Sequence, residues 1–324
     1  DQTSFAASDR FRLAVVAESA AALARKLQLA LPQLQNAAAR TVLEQQGVFF
    51  NQLAAHRPRV AFVFPGQGSQ YDGMLRELVR DVPAAAARLA EVDAAMARLG
   101  YPNFSQLAWS TPTQLGSDVW TTQVALLLAD AIVHAALTDL GIAPDLVLGH
   151  SYGEFPALLA AGVWDIDTAI RMTRARCEGI DALSNTSDGM LATSAAPQLI
   201  DSLSQQLGLQ VYLANQNAPD QAVYGGKRTD LARLATTLER QSLQARLLAV
   251  PAAFHTPLMQ GASNKLAAAL QTAALQTPCV PIHSTVTNRP VHSPAEVRDN
   301  LSAQLTTPVR YAELIADICA HEPT

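Results

Sequence analysis

"DLVLGHSYGEFPALLAAG", residues 145–162, decides how the chain is read. Three apolar residues, Leu146 to Leu148, run into Gly149, Ser151 stands between Gly149 and Gly153, and a helix-forming run follows. An apolar strand that turns through G-x-S-x-G into a helix is the setting of a nucleophile elbow. Glycines two residues either side let the chain pass close to itself while the serine takes unusual backbone angles. The hydroxyl then projects at the helix start, where the Tyr152 N–H and the helix dipole stabilise an oxyanion. A serine helix cap in a Gly-containing turn fits the same five residues. The flanking strand and helix are what favour the elbow.

Working outward, "RVAFVFPGQGSQYDGM" (59–74) reads as a strand and a Gly-rich turn, with helical segments at about 75–98 and 120–140. Strand, helix, strand, helix predicts an α/β core with a mostly parallel sheet. Residues 187–251 break the rhythm. "GMLATS" and "PQLIDSLSQQL" read as strand and helix. "LQVYLA" and "QAVYGG" read as strands around a turn "NQNAPD". "RTDLARLATTLERQ" and "ARLLAV" add a helix and a strand. The order βαββαβ is that of a ferredoxin-like module. The expected layout is therefore an α/β-hydrolase-like core over 58–186 and 252–324 with a ferredoxin-like insert at 187–251. Residues 1–57 read as a linker or docking subdomain: a short strand "FRLAVVAES", an amphipathic helix "AAALARKLQLALPQLQ", and "RTVLEQQGVFFNQLA" as helix or strand.

The bulk numbers narrow the function classes. The 324 residues are 49% hydrophobic and 16% charged, a globular composition with ample length for a core. A net charge of -5 offers no basic surface for nucleic acid. Cys177, Cys279 and Cys319 are isolated and odd in number, which suggests neither a disulfide framework nor a metal site and fits a reducing, cytoplasmic setting. No apolar run is expected to reach the roughly 18 to 20 residues of a membrane span. The start lacks a signal-peptide layout and an initiator Met, so the chain reads as excised from something longer.

Serine needs a base to become a nucleophile, and seven histidines compete for that role. His134 lies inside a predicted helix, as a structural residue would. His56, His292 and His321 sit in polar surroundings, and His283 follows "PCVPI" as the end of a strand. His150 adjoins the serine, but neighbours at an elbow point apart. His255, in "VPAAFHTPLM", lies between a strand and a helix, where loops carry catalytic groups. Spacing alone does not decide among them.

A second signal is an arginine on the wrong face. "WDIDTAIRMTRARCEGIDAL" predicts a helix from Asp165 or Asp167, with Arg171, Arg174, Glu178 and Asp181 on a solvated side. Arg176 falls instead among Ala169, Met172, Ile180 and Leu183. A guanidinium there keeps its charge and needs a partner. Two readings stand: an internal ion pair or a side chain snorkelling past the helix edge, or a carboxylate-bearing substrate beside Ser151 held bidentately.

Together these stretches resemble the malonyl-CoA:acyl-carrier-protein transacylase family, in particular an acyltransferase domain of a type I polyketide synthase, modular or iterative, with the iterative kind favoured. The matches are "FPGQGSQ" (64–70), "GHSYGE" (149–154), Arg176 twenty-five residues after the serine, "NQNAPDQAVYGG" (215–226), "FHTPLM" (254–259) and "QLTTPVRY" (304–311). They cover about residues 58–312. The resemblance implies that Ser151 carries the acyl group and that His255 is its base, held by a backbone carbonyl near Gln304 rather than by an acid. It implies an oxyanion hole from the backbone N–H groups of Gln67 and Tyr152, and Arg176 on the free carboxylate of the extender unit. Gln123, His150 and Phe254 are implied to line the pocket. Asn215 and Asn217 belong to a loop near it, with no chemistry assigned.

The same resemblance implies malonyl-CoA as substrate, no permanently bound cofactor or metal, and an acyl carrier protein with its phosphopantetheine arm as partner. Residues 1–57 resemble the linker from an adjacent ketosynthase, and neither nucleic acid nor membrane is expected as a partner. Two departures bear on specificity. Tyr152 stands where many malonyl-specific members have Leu or Ile, a form resembling iterative synthases of the polyunsaturated fatty acid, enediyne and glycolipid type. Ala252-Ala253-Phe254-His255 matches the malonyl pattern HAFH except at its first position. Malonyl is favoured over methylmalonyl. The rivals are a serine hydrolase or thioesterase, for which Arg176 and "FPGQGSQ" have no evident use, and a silent docking module, against which every catalytic position is filled.

Overall fold

The structure, a computed structural model, describes residues 9–52, 59–110, 114–183 and 187–321. Contacts divide it into two units, Asp1–Arg59 and Val60–Thr324. The expected boundary at residue 57 and His56 lie outside the described residues, as does the side chain of His321.

In the first unit, β1 (Phe11–Val15) pairs antiparallel with β2 (Val48–Gln52). Between them run α1 (Ala20–Ala30), whose first turn is capped by the Ser19 hydroxyl, and α2 (Arg40–Gln45). The stretch expected to be helix or strand is both. Gly47, at φ +75°, makes the left-handed break between α2 and β2. Ala30, Ala39, Leu43 and Val48 form a small core.

The second unit opens with β3 (Ala61–Phe64) and the Gly-rich turn. α3 (Arg76–Asp81) and α4 (Pro83–Arg98) replace the single helical segment expected over 75–98. Pro83 cannot continue a helix but is well suited to starting one, so Val82 is extended and α4 begins afresh. α5 (Phe104–Ala108), too short to show in the pattern, is set by a capping box between Asn103 and Gln106. α6 (Val119–Asp139) corrects one expectation: by length and composition it could cross a membrane. Its most apolar window is 78% buried inside the fold, so it serves as a core helix.

β4 (Leu146–Gly149) is buried at all four positions and leads through the elbow into α7 (Glu154–Ala160) and then α8 (Ile166–Asp181). After them come β5 (Asp188–Thr193), α9 (Pro197–Leu207), β6 (Val211–Ala218), β7 (Gln221–Lys227), α10 (Arg228–Arg240) and β8 (Ala245–Leu248). The chain finishes with α11 (Gln260–Leu270), β9 (Ile282–Ser284), β10 (Arg289–Val291), α12 (Pro294–Gln304) and α13 (Tyr311–His321).

The core sheet runs β10-β9-β4-β3. β3, β4 and β9 are parallel, and only β10 is antiparallel to its neighbour. A parallel strand covered on both faces reads as a continuous apolar run, which is why 146–148 shows no alternation. The elements 188–248 form a second, antiparallel sheet in the order β6-β7-β5-β8, the ferredoxin-like arrangement. Ile200, Leu203, Leu231, Leu234 and Leu238 of its two helices share a core with Leu191 and Tyr224 of its strands.

One expected turn is mostly strand. β6 continues through "NQNA", with register shifts between Leu213 and Asn215 and between Gln216 and Ala218. Backbone pairing at a distant segment holds it: Gln216 N donates to Val309 O at 2.8 Å and Val309 N to Ala214 O at 2.9 Å. Turn-forming residue types are overridden by those bonds, and only residues 219 and 220 remain to make the turn.

Candidate active site

α/β sheets bind ligands outside the carboxyl ends of their strands. β3 ends at Phe64 and β4 at Gly149, side by side in the sheet. The turns that follow carry Gln67 and Ser151 to the same cavity, of about 210 Å³.

The question set by two glycines around a serine has a backbone answer. A Cβ on Gly149 would collide with the carbonyl carbon of Gly153 and the nitrogen of Glu154. One on Gly153 would collide with the carbonyl oxygen of Phe64, at the end of the neighbouring strand. Gly66 is as constrained, since its Cβ would lie 2.6 Å from the carbonyl oxygen of His150. The Gly-rich turn thus packs backbone against backbone on the elbow. Ser151 sits at φ +55° and His255 at φ +61°, in the left-handed region that costs an L-residue roughly 1 to 2 kcal/mol.

Ser151 Oγ and His255 Nε2 are 2.5 Å apart. His255 Nδ1 lies 2.9 Å from the carbonyl oxygen of Gln304. A carbonyl only accepts, so Nδ1 carries the proton and Nε2 presents its lone pair to the serine hydroxyl. Burial pushes the imidazole down to about 3, and the cation of Arg176 and the neighbouring His150 add to that. Hydrogen bonds to the backbone at Gln304 and Thr307 oppose it. The ring is therefore neutral at physiological pH.

Arg176 is 1% exposed and lines the same cavity. It does not snorkel past the helix edge, and no ion pair holds it among the described residues. Its Nη1 donates to Gln123 Oε1 at 2.8 Å, and its Nε has no partner. The guanidinium carbon lies 5.4 Å from the Tyr152 ring centroid and 5.9 Å from that of Phe155, within cation–π range. The Tyr152 hydroxyl is tied to Thr173 at 2.9 Å, which fixes the ring under the charge. Gln123 Nε2 in turn donates to Gln67 Oε1 at 3.3 Å, linking the arginine to the Gly-rich turn. On the solvated side of α8, Arg174 pairs with Glu178 at 3.0 Å.

The remaining expected residues reach the cavity too. His150 Nε2 is 2.7 Å from Asn217 Oδ1, so β6 orients this ring. Asn215 and Asn217 line the cavity, as does Phe254 beside the base. Of the other described histidines none does: His134 packs its ring against Phe62 and Phe64, His283 is buried in β9, and His292 is exposed.

Sequence reasoning missed two groups. Met190, Val223, Leu248 and Val250 of the insert give the cavity of Ser151 an apolar lining. Strand alternation in β5 and β7 carries part of that signal. The other is Glu154, 2% exposed at the start of α7. Burial raises its carboxyl above the ordinary range, against hydrogen bonds from Thr285, Gln304 and Ser284 that lower it. An acid in a helix's first turn ordinarily reads as a partner of the helix dipole, which hid its contacts.

This geometry can be set beside known proteins. The family model described as "Acyl transferase domain" matches residues 61–324. The malonyl CoA-acyl carrier protein transacylase of Bacillus subtilis (strain 168) is 32% identical over 274 residues, covering 82% of this chain and 84% of its own length. A malonyl-transacylase solved with the acyl-carrier protein of a type II polyketide synthase superposes with a TM-score of 0.76 at 31% identity, covering 82% of this chain and 86% of that one. The acyltransferase domain from the second module of the salinomycin polyketide synthase superposes with a TM-score of 0.81 at 28% identity, covering 96% and 70%. With a family model over residues 61–324, the chain belongs to the acyl transferase domain family.

Proposed function

We propose that this acyltransferase moves a malonyl group from malonyl-CoA to the phosphopantetheine thiol of an acyl carrier protein, through an acyl-serine intermediate, in polyketide or related fatty acid synthesis. The observation that carries this reading is Arg176, a buried cation with an unpartnered Nε in the cavity of Ser151 and His255. An ester or thioester needs no such cation. A free carboxylate does, and guanidinium matches it bidentately.

In the first half-reaction Ser151 Oγ attacks the thioester carbon and His255 Nε2 takes its proton. The oxyanion is held by the backbone N–H groups of Gln67 and Tyr152. Collapse expels the CoA sulfur, which leaves with the proton from His255. In the second half the carrier thiol gives its proton to His255 and attacks the acyl-serine, and Ser151 is released. His150 and Gln123 orient the extender unit, and the carbonyl of Gln304 keeps the base in the right tautomer. The chain's own residues supply every proton transfer. Phe254 fills the space beside the base where an α-methyl would project, which favours malonyl over methylmalonyl. Residues 1–57 take the part of a ketosynthase–acyltransferase linker, and 187–251 that of an insert walling the cavity.

The test is intact mass after exposure to an equal mixture of acetyl-, malonyl- and methylmalonyl-CoA. The expected product is one malonyl adduct, absent from Ser151→Ala and transferred on adding carrier protein. Hydrolysis without an adduct, or an adduct on another residue, overturns the reading.

A further inference from the structure

Glu154 is a buried carboxylate that the mechanism above does not use. It accepts four hydrogen bonds from three residues in two segments of the chain. Ser284 Oγ, Thr285 N and Thr285 Oγ1 reach its Oε1 at 3.1, 2.5 and 2.8 Å. Gln304 Nε2 reaches its Oε2 at 2.6 Å. Thr285 and Gln304 are 1% and 0% exposed, so water does not substitute for these donors.

Gln304 is where the network meets the chemistry. Its side-chain amide donates to Glu154 and also to the carbonyl oxygen of Ser151, at 3.0 Å. Its peptide carbonyl accepts from His255 Nδ1. One residue thus touches the backbone of the nucleophile and the ring of the base, and Glu154 is the anchor on its side chain. The arrangement does for the pair what an acid does for a triad, through an amide in place of direct contact with imidazole.

Resting on the acyl-serine reading above, we propose that Glu154 is a positioning residue for acyl transfer. Through the Gln304 side chain it fixes the carbonyl that orients His255 and the carbonyl of strained Ser151. The donor set fits an ionised carboxylate: all four partners donate to it, and charge-assisted bonds of this kind are the strong ones.

Glu154→Gln keeps the volume and the acceptor for Ser284 and Thr285 but sets an amide N–H against the Gln304 amide N–H. Single-turnover acylation by malonyl-CoA in the whole chain, read by intact mass, separates the maximal rate from the apparent affinity. The maximal rate should fall about 10- to 100-fold, the scale of a small misplacement of reacting groups. The apparent affinity should move less than about threefold, because Arg176 is untouched. Gln304→Ala, which keeps the peptide carbonyl, should lose a similar factor. The double variant should lose little more, because the two side chains act as one unit.

A folded Glu154→Gln protein that acylates at the full rate overturns the proposal. So do losses that multiply in the double variant, or a smaller active fraction with an unchanged rate per folded molecule. Should Glu154→Gln not fold, a full rate in Gln304→Ala overturns it alone. Wild-type protein that fails to acylate Ser151 overturns the acyl-serine reading itself, so the two failures are told apart.

Discussion

Arg176 and Glu154 both carry ionisable side chains, both are buried, at 1% and 2% exposure, and neither forms an ion pair among the described residues. The fold treats them in opposite ways. Glu154 receives four donors and both of its oxygens are occupied. Arg176 receives one acceptor and two ring faces, and its Nε is left without a partner. A buried charge costs several kcal/mol unless it is fully solvated by the protein. Saturation therefore separates a charge that holds a structure together from one that is kept ready for something absent.

The comparison breaks first at the arginine. Arg176→Ala should lower malonyl against acetyl loading by at least about tenfold, since a charge-assisted hydrogen bond contributes roughly 1.5 to 3 kcal/mol. Competition between the two CoA esters, read as adduct mass, measures it. An unchanged preference would show that Arg176 is structural.

Phe254, which lines the cavity beside the base, sharpens the contrast with a smaller effect. Phe254→Ser should open space beside the base and shrink the preference for malonyl over methylmalonyl by about five- to tenfold, the low end of the range for one methyl in an apolar pocket. The same competition assay reads it. A wild-type protein that loads both esters equally removes any role for Phe254 in size selection.

The smallest expected effect is an absence of change. With its imidazole pushed down to about 3, His255 stays neutral as pH falls through 6.5, where a free histidine would protonate. The single-turnover acylation rate should vary less than about twofold between pH 7.5 and 5, whereas an unperturbed base would lose about thirtyfold. The stability contribution has the matching sign. It is full above 6.5 and is lost progressively as pH falls toward 3, because the unfolded chain binds the proton first. A steep acidic limb near 6.5 would show that the cavity does not desolvate this ring.

What the sequence disclosed follows from how local each cause is. The spacing of Gly149, Ser151 and Gly153 was legible because the chain's close approach to itself occurs within five residues. Arg176 was legible from the period of α8, although the empty state of its Nε was not. Nor was the acceptor on its Nη1, Gln123, fifty-three residues away in another helix. Asn215 and Asn217 read as turn formers because the backbone that keeps them in a strand belongs to Val309. Gln304 offered no residue-type signal for the base, since the atom facing His255 is a peptide oxygen that any residue has. The break at Pro83 was written in the sequence, but a period count passes over one extended residue.

The left-handed backbone at both Ser151 and His255 has a practical consequence for protein engineering. Glycine would relax either position by roughly 1 kcal/mol or more, since it adopts positive φ freely. The same exchange deletes one of the two side chains placed 2.5 Å apart. A library screened for melting temperature alone would therefore enrich inert proteins at these two positions, so selection for thermostability has to score acyl loading in the same round.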